Sequence, residues 1–526
     1  MSYWYDAQSQ SELSSLYQAG PVSKASSAYE LSLGPRAAGE TLTGWLYDEL
    51  RRAILDGRLT AGTRLPPTRE FAAQHALSRG TVVSVFERLE SEGYLSGRVG
   101  AGTTVNRLTT APRVRAAGRR TSPAYIRRLD LTYRRPKPWT GISASERIRP
   151  FALRDPAIDR FPVKLWSRLV AKRARTLKSW LQIEDDGCGY RPLREAIAHY
   201  LAVSRGVRCS ADQILLVSGG QQALDLIARV LLSPGEPVWM EDPGYFGASI
   251  AFNTLGAKII PVPVDEHGID VGAGLRLCRR ARGAYVTPAH QFPLGMTMSL
   301  ERRMELLAWA ARTGAFVIED DYDSEYRFEG RPVPALQSLD ENSSVILFGS
   351  FGKLLFPSLR IGYLVLPDAL IGYFLAFRYR TDFRNLSLDQ AVLCDFMVAG
   401  HLGRHLRRMR GIYSSRLAAL RDAGDRYLGG LLRLSNVRAG LCTAGFLENG
   451  LDSWQAETRA ATAGVEAIAL DRYTLKRPDP GGLLLGFAAF DEDAIHQGVR
   501  RLAAALEPKK SPARADTRRG RADNRP

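Results

Sequence analysis

The stretch Gly349-Ser-Phe-Gly-Lys353-Leu-Leu-Phe-Pro-Ser-Leu-Arg360-Ile-Gly362 decides the fold. It follows the apolar run Val345–Phe348, which has the length and composition of a buried strand. A lysine just past such a run stands at a strand's carboxyl end, where open α/β sheets bind their ligands. Arg360 lies seven residues further on and can fork onto a phosphate.

Other pieces take their place around this one. Upstream, Ile318-Glu-Asp320-Asp321-Tyr322 closes the run Phe316–Glu319. Earlier still, Leu216-Val-Ser218-Gly219-Gly220-Gln221-Gln222 has the order strand, glycine turn, helix. Backbone N–H groups and the helix dipole make such a turn an anion site. Tyr245, in Asp242-Pro-Gly-Tyr245 after Val238–Met240, can stack on a flat ring. The runs Ile214–Val217, Tyr285–Thr287 and Tyr363–Leu366 complete the set, with helical patterns between several of them. This alternation, from about 146 to 507, predicts a mostly parallel sheet with helices on both faces.

Together these residues meet the demands of pyridoxal 5'-phosphate (PLP). Lys353 can form an imine with the aldehyde. Asp320 can hold the pyridine nitrogen protonated and Tyr322 can reach the phenolic oxygen. Arg360 and the turn at Gly220 and Gln221 can neutralise the phosphate. Each piece alone also fits an ordinary loop, turn or solvated strand end. Their order and their placement at strand ends carry the reading.

The amino-terminal part has another character. Leu42, Leu46, Leu50 and Ile54 recur every four residues, with Thr41 placed to cap the helix and Gly57 to end it. Leu65-Pro-Pro-Thr-Arg69-Glu-Phe starts a second helix. A third follows Ser78-Arg79-Gly80-Thr81, with Val82, Phe86 and Leu89 on its buried face. Tyr94 to Val105 predicts a hairpin with a glycine-rich tip at Gly100. Three helices and a hairpin in so short a span make a winged helix-turn-helix. Its third helix would offer Ser78, Arg79 and Thr81 to double-stranded DNA, and Gly100 at the wing tip lets backbone approach the sugar-phosphate chain. A helical protein-interaction module is the competing reading.

Between the two parts, 107–145 is a basic linker; 1–40 is a loose arm and 509–526 a basic, disordered tail. The 526 residues suffice for two domains, one of them large. The net charge of +17 suits a polyanionic partner and equally suits a basic enzyme. Five scattered cysteines, with no paired spacing, argue against a disulfide framework or metal site and for a reducing cytoplasm. No apolar run is long enough to span a membrane, and the amino terminus lacks the pattern of a secretory signal.

Residues 41–106 resemble the GntR-type winged helix, through Arg64-Leu65-Pro66, Arg69, Ser78-Arg79 and Gly93-Tyr94-Leu95. The resemblance implies DNA contacts at Arg69, Ser78, Arg79, Thr81 and Gly100. Pro67 stands where that family has a capping serine. Residues 146–508 resemble fold-type I aminotransferases. That resemblance makes Lys353 the Schiff-base lysine, Asp320 the ring-nitrogen partner and Tyr322 the phenolate partner. It makes Arg360 and Ser350 phosphate ligands, Tyr245 the stacking aromatic, and places Gln291 or His290 beside the cofactor. Together, with His290-Gln-Phe-Pro and Glu319-Asp-Asp-Tyr-Asp-Ser-Glu-Tyr326, the two resemble the MocR/GabR family of PLP-dependent regulators. The family implies a head-to-tail homodimer and an amine effector. Three positions depart from it. Leu484 stands where transaminases carry a carboxylate-clamping arginine, Gly247 where a GabR-type effector site has one, and Glu184 near the tyrosine that reaches the partner's phosphate. These shift the expectation from turnover toward sensing. An aminotransferase with a DNA-binding appendage, and a regulator using this fold only to dimerise, are the alternatives.

Overall fold

The computed structural model describes residues 39–98, 102–106, 149–153, 156–175, 186–330, 333–381, 387–448, 450–475 and 481–507, and the single residues 33 and 36. Gly100, Glu184, nearly all of 1–40, the linker 107–145 and the tail 509–526 lie outside them. The chain divides into two compact units, 1–136 and 137–526.

In the smaller unit, α1 (Leu42–Leu55), α2 (Thr68–Gln74) and α3 (Arg79–Ser91) precede a hairpin of β1 (Leu95–Arg98) and β2 (Gly102–Val105). Thr41 caps α1, its Oγ1 accepting from Gly44 N at 3.2 Å. Leu46, Leu50 and Ile54 are buried as the periodicity requires, and Leu42 only half so. Pro67 occupies the cap position of α2 and makes no side-chain cap. Gly93 has φ +80, which lets the chain reverse from α3 into β1. Residues before α2 also pair with the wing, Leu65 N donating to Thr103 O at 2.9 Å. Phe71, Val82, Val85, Phe86, Leu89 and Val105 close the core.

The larger unit is built on eight strands. They are β3 (Ile214–Val217), β4 (Pro237–Asp242), β5 (Lys258–Asp265), β6 (Gly268–Ile269), β7 (Gly283–Val286), β8 (Phe316–Asp321), β9 (Val345–Ser350) and β10 (Gly362–Val365). Their order is β3-β10-β9-β8-β7-β4-β5-β6. The run from β9 to β5 is parallel, whereas β10 lies antiparallel to both β3 and β9. Both faces are covered. Ile214 and Leu216 of β3 pack with helix Arg191–Arg205, while Leu215 and Val217 pack with helix Gly220–Leu231. That alternation is the pleat of a strand buried on both sides.

Sequence reading left out a second sheet. β11 (Leu432–Leu434), β12 (Cys442–Leu447), β13 (Ile468–Ala469) and β14 (Gly482–Gly486) pair antiparallel in the order β11-β12-β14-β13. The strands are short, and glycines fall in β12 and β14, so they give little periodic signal. β5 was also unmarked; Pro261 and Pro263 interrupt it.

Candidate functional site

The antiparallel run of β10 gathers the site. Gly362, its first residue, pairs with both Ser350 at the end of β9 and Val217 at the end of β3. Lys353, Ser350, Arg360 and the turn Ser218-Gly219-Gly220 therefore meet at one edge. Arg360 has φ +51, a left-handed conformation that a non-glycine residue holds only when its surroundings impose it. Its guanidinium lies against Gly219, where a Cβ would come 3.6 Å from Nη1. Gly219 itself has φ +95 and leads into helix Gly220–Leu231, whose first-turn backbone N–H groups have no partner within the helix ladder and suit an anion. Ser350 Oγ accepts from Gly352 N at 3.2 Å and retains its own proton for an anion. Gln221 is spent differently: its Nε2 donates to Gly247 O at 3.0 Å and ties this helix to the loop after Tyr245. Lys353 Nζ donates to Leu153 O at 3.2 Å.

Asp320 sits at the end of β8 and is buried. Burial pushes its carboxyl up to about 8, against a hydrogen bond from Tyr285 Oη at 2.6 Å that pulls the other way. The charged neighbours that act on it most strongly are Asp321, Asp323 and Glu241, all acids. A buried carboxyl in such company lacks a positive charge. A protonated pyridine nitrogen fits that need. With the Lys353 amine and the anion cradle of Gly219, Gly220, Ser350 and Arg360 nearby, the residues present fit PLP.

Four aromatic rings form the next layer. Tyr245 meets Phe292 edge-on at 5.9 Å between centroids, and Phe292 meets Tyr322 at 5.9 Å and Tyr473 at 5.0 Å. Burial, with Asp320 nearby, raises the Tyr245 phenol to about 12. Tyr322 Oη and His290 Nδ1 are 2.9 Å apart. Of the two residues sequence reading left open, His290 thus reaches Tyr322. Gln291 instead braces its own loop, its Nε2 donating to Glu241, Pro243 O and Phe292 O. Tyr285, Asp323 and Cys442 went unnoticed in the sequence. Tyr285 lies in an apolar strand run, where a hydroxyl is the one visible signal. Cys442 is half-buried near Lys353 and Asp323, and desolvation pushes its thiol up to about 12.

The departures have structural counterparts. Leu484, on β14, is fully buried with Ala444, Leu470, Leu153, Phe292, Leu294 and Tyr473. It belongs to an apolar wall shared with Phe292 and with Leu153, the residue that Lys353 contacts. At Gly247 a Cβ would come 2.5 Å from Tyr245 Cζ, so no side chain fits there while Tyr245 holds its place.

On the smaller unit, Ser78 caps α3, its Oγ accepting from Thr81 N at 3.1 Å and lying 2.8 Å from Thr81 Oγ1. Ser78, Arg79 and Gly80 are exposed at the start of this helix, Thr81 is half-buried, and Arg69 is exposed on α2. The third helix is thus capped and presents its amino end, as major-groove readers do.

Residues 42–105 match the model for bacterial regulatory proteins of the gntR family, and residues 185–423 that for aminotransferases of class I and II. The probable rhizopine catabolism regulatory protein MocR of Rhizobium meliloti is 38% identical, over 88% of this chain and 93% of that one. The pyridoxine biosynthesis transcriptional regulator PdxR of Corynebacterium glutamicum is 29% identical, over 88% and 95%. Among solved structures, the kynurenine aminotransferase of Pyrococcus horikoshii, in complex with PMP, superposes with a TM-score of 0.64. It is 28% identical, over 74% of this chain and 95% of that one. No helix among the described residues is long and apolar enough to cross a membrane. With a gntR-type head, an aminotransferase-type body and near full-length similarity to MocR, the chain belongs to the MocR/GabR family of transcription regulators.

Proposed function

We propose that this regulator binds PLP at Lys353 and that occupancy of this site alters its grip on operator DNA. The observation that carries the reading is Asp320: a buried acid among acids, at the sheet edge that also holds a lysine and an anion cradle. PLP supplies an electron-withdrawing ring and an aldehyde. Lys353 anchors the aldehyde, Asp320 pairs with the ring nitrogen, and Tyr322 donates to the phenolic oxygen. Tyr245 covers the ring, and Arg360, Ser350, Gly220 and the backbone N–H of Gln221 hold the phosphate. Arg69, Ser78, Arg79, Thr81 and Gly100 form the DNA face. The active form is a homodimer with domains exchanged head to tail, as expected of the family.

The apolar wall at Leu484 and the bare backbone at Gly247 bear on the effector. Neither offers the bidentate clamp that a carboxylate needs. The signal is therefore PLP itself, or an amine without a carboxylate partner here. PdxR, a relative named for pyridoxine biosynthesis, supports the first. Displacement of PLP from Lys353 changes DNA affinity only if the two states differ in their fit to DNA. The test is DNA footprinting of apo and PLP-loaded protein, beside single-turnover incubation with amino acids. A PLP-dependent footprint with no rapid formation of the pyridoxamine form supports the reading. An unchanged footprint with rapid conversion overturns it in favour of an aminotransferase.

A further inference from the structure

His290 is buried and belongs to neither half of the proposed function. Its Nδ1 lies 2.9 Å from Asp323 Oδ1 and 2.9 Å from Tyr322 Oη. Its Nε2 is buried without a partner, as is Asp323 Oδ2. The ring cannot swing away. Gly440, with φ +92, lies so close that a Cβ there would sit 2.0 Å from His290 Cε1, and one at Gly295 would sit 3.4 Å from Nε2.

These contacts decide the tautomer. A proton on Nε2 would be a buried donor with no acceptor, which is unfavourable. It would also turn the Nδ1 lone pair toward the Asp323 carboxylate. A proton on Nδ1 instead makes a charge-assisted bond to Asp323, with Tyr322 Oη as a second acceptor. Nδ1 then has no lone pair for the Tyr322 proton. That proton must be given elsewhere. Burial, with Asp323, Cys442, Asp320 and Glu241 nearby, pushes the Tyr322 phenol well above its ordinary value, so the proton stays on the oxygen.

We infer that His290, held as the Nδ1–H tautomer by Asp323, is a positioning residue that directs the Tyr322 hydroxyl to donate to the cofactor's phenolic oxygen. The inference rests on the reading that Tyr322 faces that oxygen. It adds a polarity to the site: Asp323 accepts, His290 donates, and Tyr322 donates outward.

The experiment is a pH titration of the absorbance of PLP bound to the full-length protein. A hydrogen bond to the phenolic oxygen stabilises its negative charge and lowers the titration midpoint. Tyr322→Phe should therefore raise the midpoint by roughly one pH unit. His290→Phe, which keeps a ring but loses Nδ1–H, should raise it by a smaller amount and add nothing in the Tyr322→Phe background. A midpoint unmoved by His290→Phe but raised by Tyr322→Phe overturns the inference while sparing the site. A midpoint unmoved by Tyr322→Phe overturns the reading of the site and the inference with it. An equal effect of His290→Phe in both backgrounds marks a general packing role and also overturns it. Nitrogen-15 NMR of histidine-labelled wild-type protein reads the tautomer without any variant. A buried histidine in contact with Tyr322 and protonated at Nε2 would sink the idea, and one protonated at Nδ1 supports it.

Discussion

In the proposed function Lys353 and Asp320 hold a ring at its two ends, and each role makes a separate prediction. Lys353→Ala should abolish the imine absorbance that PLP gains on the protein, leaving the spectrum of free PLP, without unfolding the protein. Borohydride reduction followed by peptide mapping should then find no PLP-modified peptide, where the wild type carries PLP on the peptide containing residue 353. Asp320 predicts a pH dependence. Its carboxyl stands near 8 in the folded apo protein, above the unfolded value of about 4. The folded state therefore holds the proton more tightly, and apo stability falls as pH rises through that window. A bound pyridinium favours the ionised acid and cancels the loss. Thermal melting should accordingly show PLP raising Tm more at pH above 8 than at pH below 5, and an equal rise at both would count against the pairing. Lys353, Asp320, Tyr322 and Arg360 were legible because a covalent or ionic duty demands a residue type just past an apolar strand run. Tyr285 and Asp323 were not, because a hydrogen bond across strands depends on which strands become neighbours.

At the scale of one element, α3 carries the DNA reading. Ser78→Ala removes the cap bond to Thr81 N and should cost about 1 kcal/mol of stability in the winged helix. Arg79→Ala and Arg69→Ala leave that cap intact, and each should weaken binding to operator DNA. If a residue touches phosphate, the slope of log K against log salt should fall by about 1, whereas loss of a base contact should instead relax sequence preference. Electrophoretic mobility shifts across a salt series distinguish these. The Thr41 cap, the buried stripe of α1 and the wing hairpin were visible in the sequence, because capping and periodicity are local, whereas the Ser78 cap of α3 comes from the structure. β11 to β14 were not. Strands of two to six residues, joined across long intervals of chain, are chosen by tertiary pairing and leave little local pattern.

Among the described residues, the smaller unit packs a core of fifteen buried residues from Leu46 to Val105, and the larger unit packs its own cores about the eight-stranded sheet. Calorimetry should resolve two transitions, with PLP raising only that of the larger unit and operator DNA raising that of the smaller. A single transition moved by both ligands would show that the units melt together. On the effector side, the absence of arginine at 484 and 247 predicts that GABA does not change DNA affinity at submicromolar concentration. The direction of β10 has one more consequence. It places Lys353 and Arg360 on a single short excursion between β9 and β10, so a ligand held by both clamps one segment of chain at two points. Occupancy should then be written as slowed amide hydrogen exchange along 351–361. The first place to look for the passage of signal out of the site is the segment that quietens when the cofactor arrives.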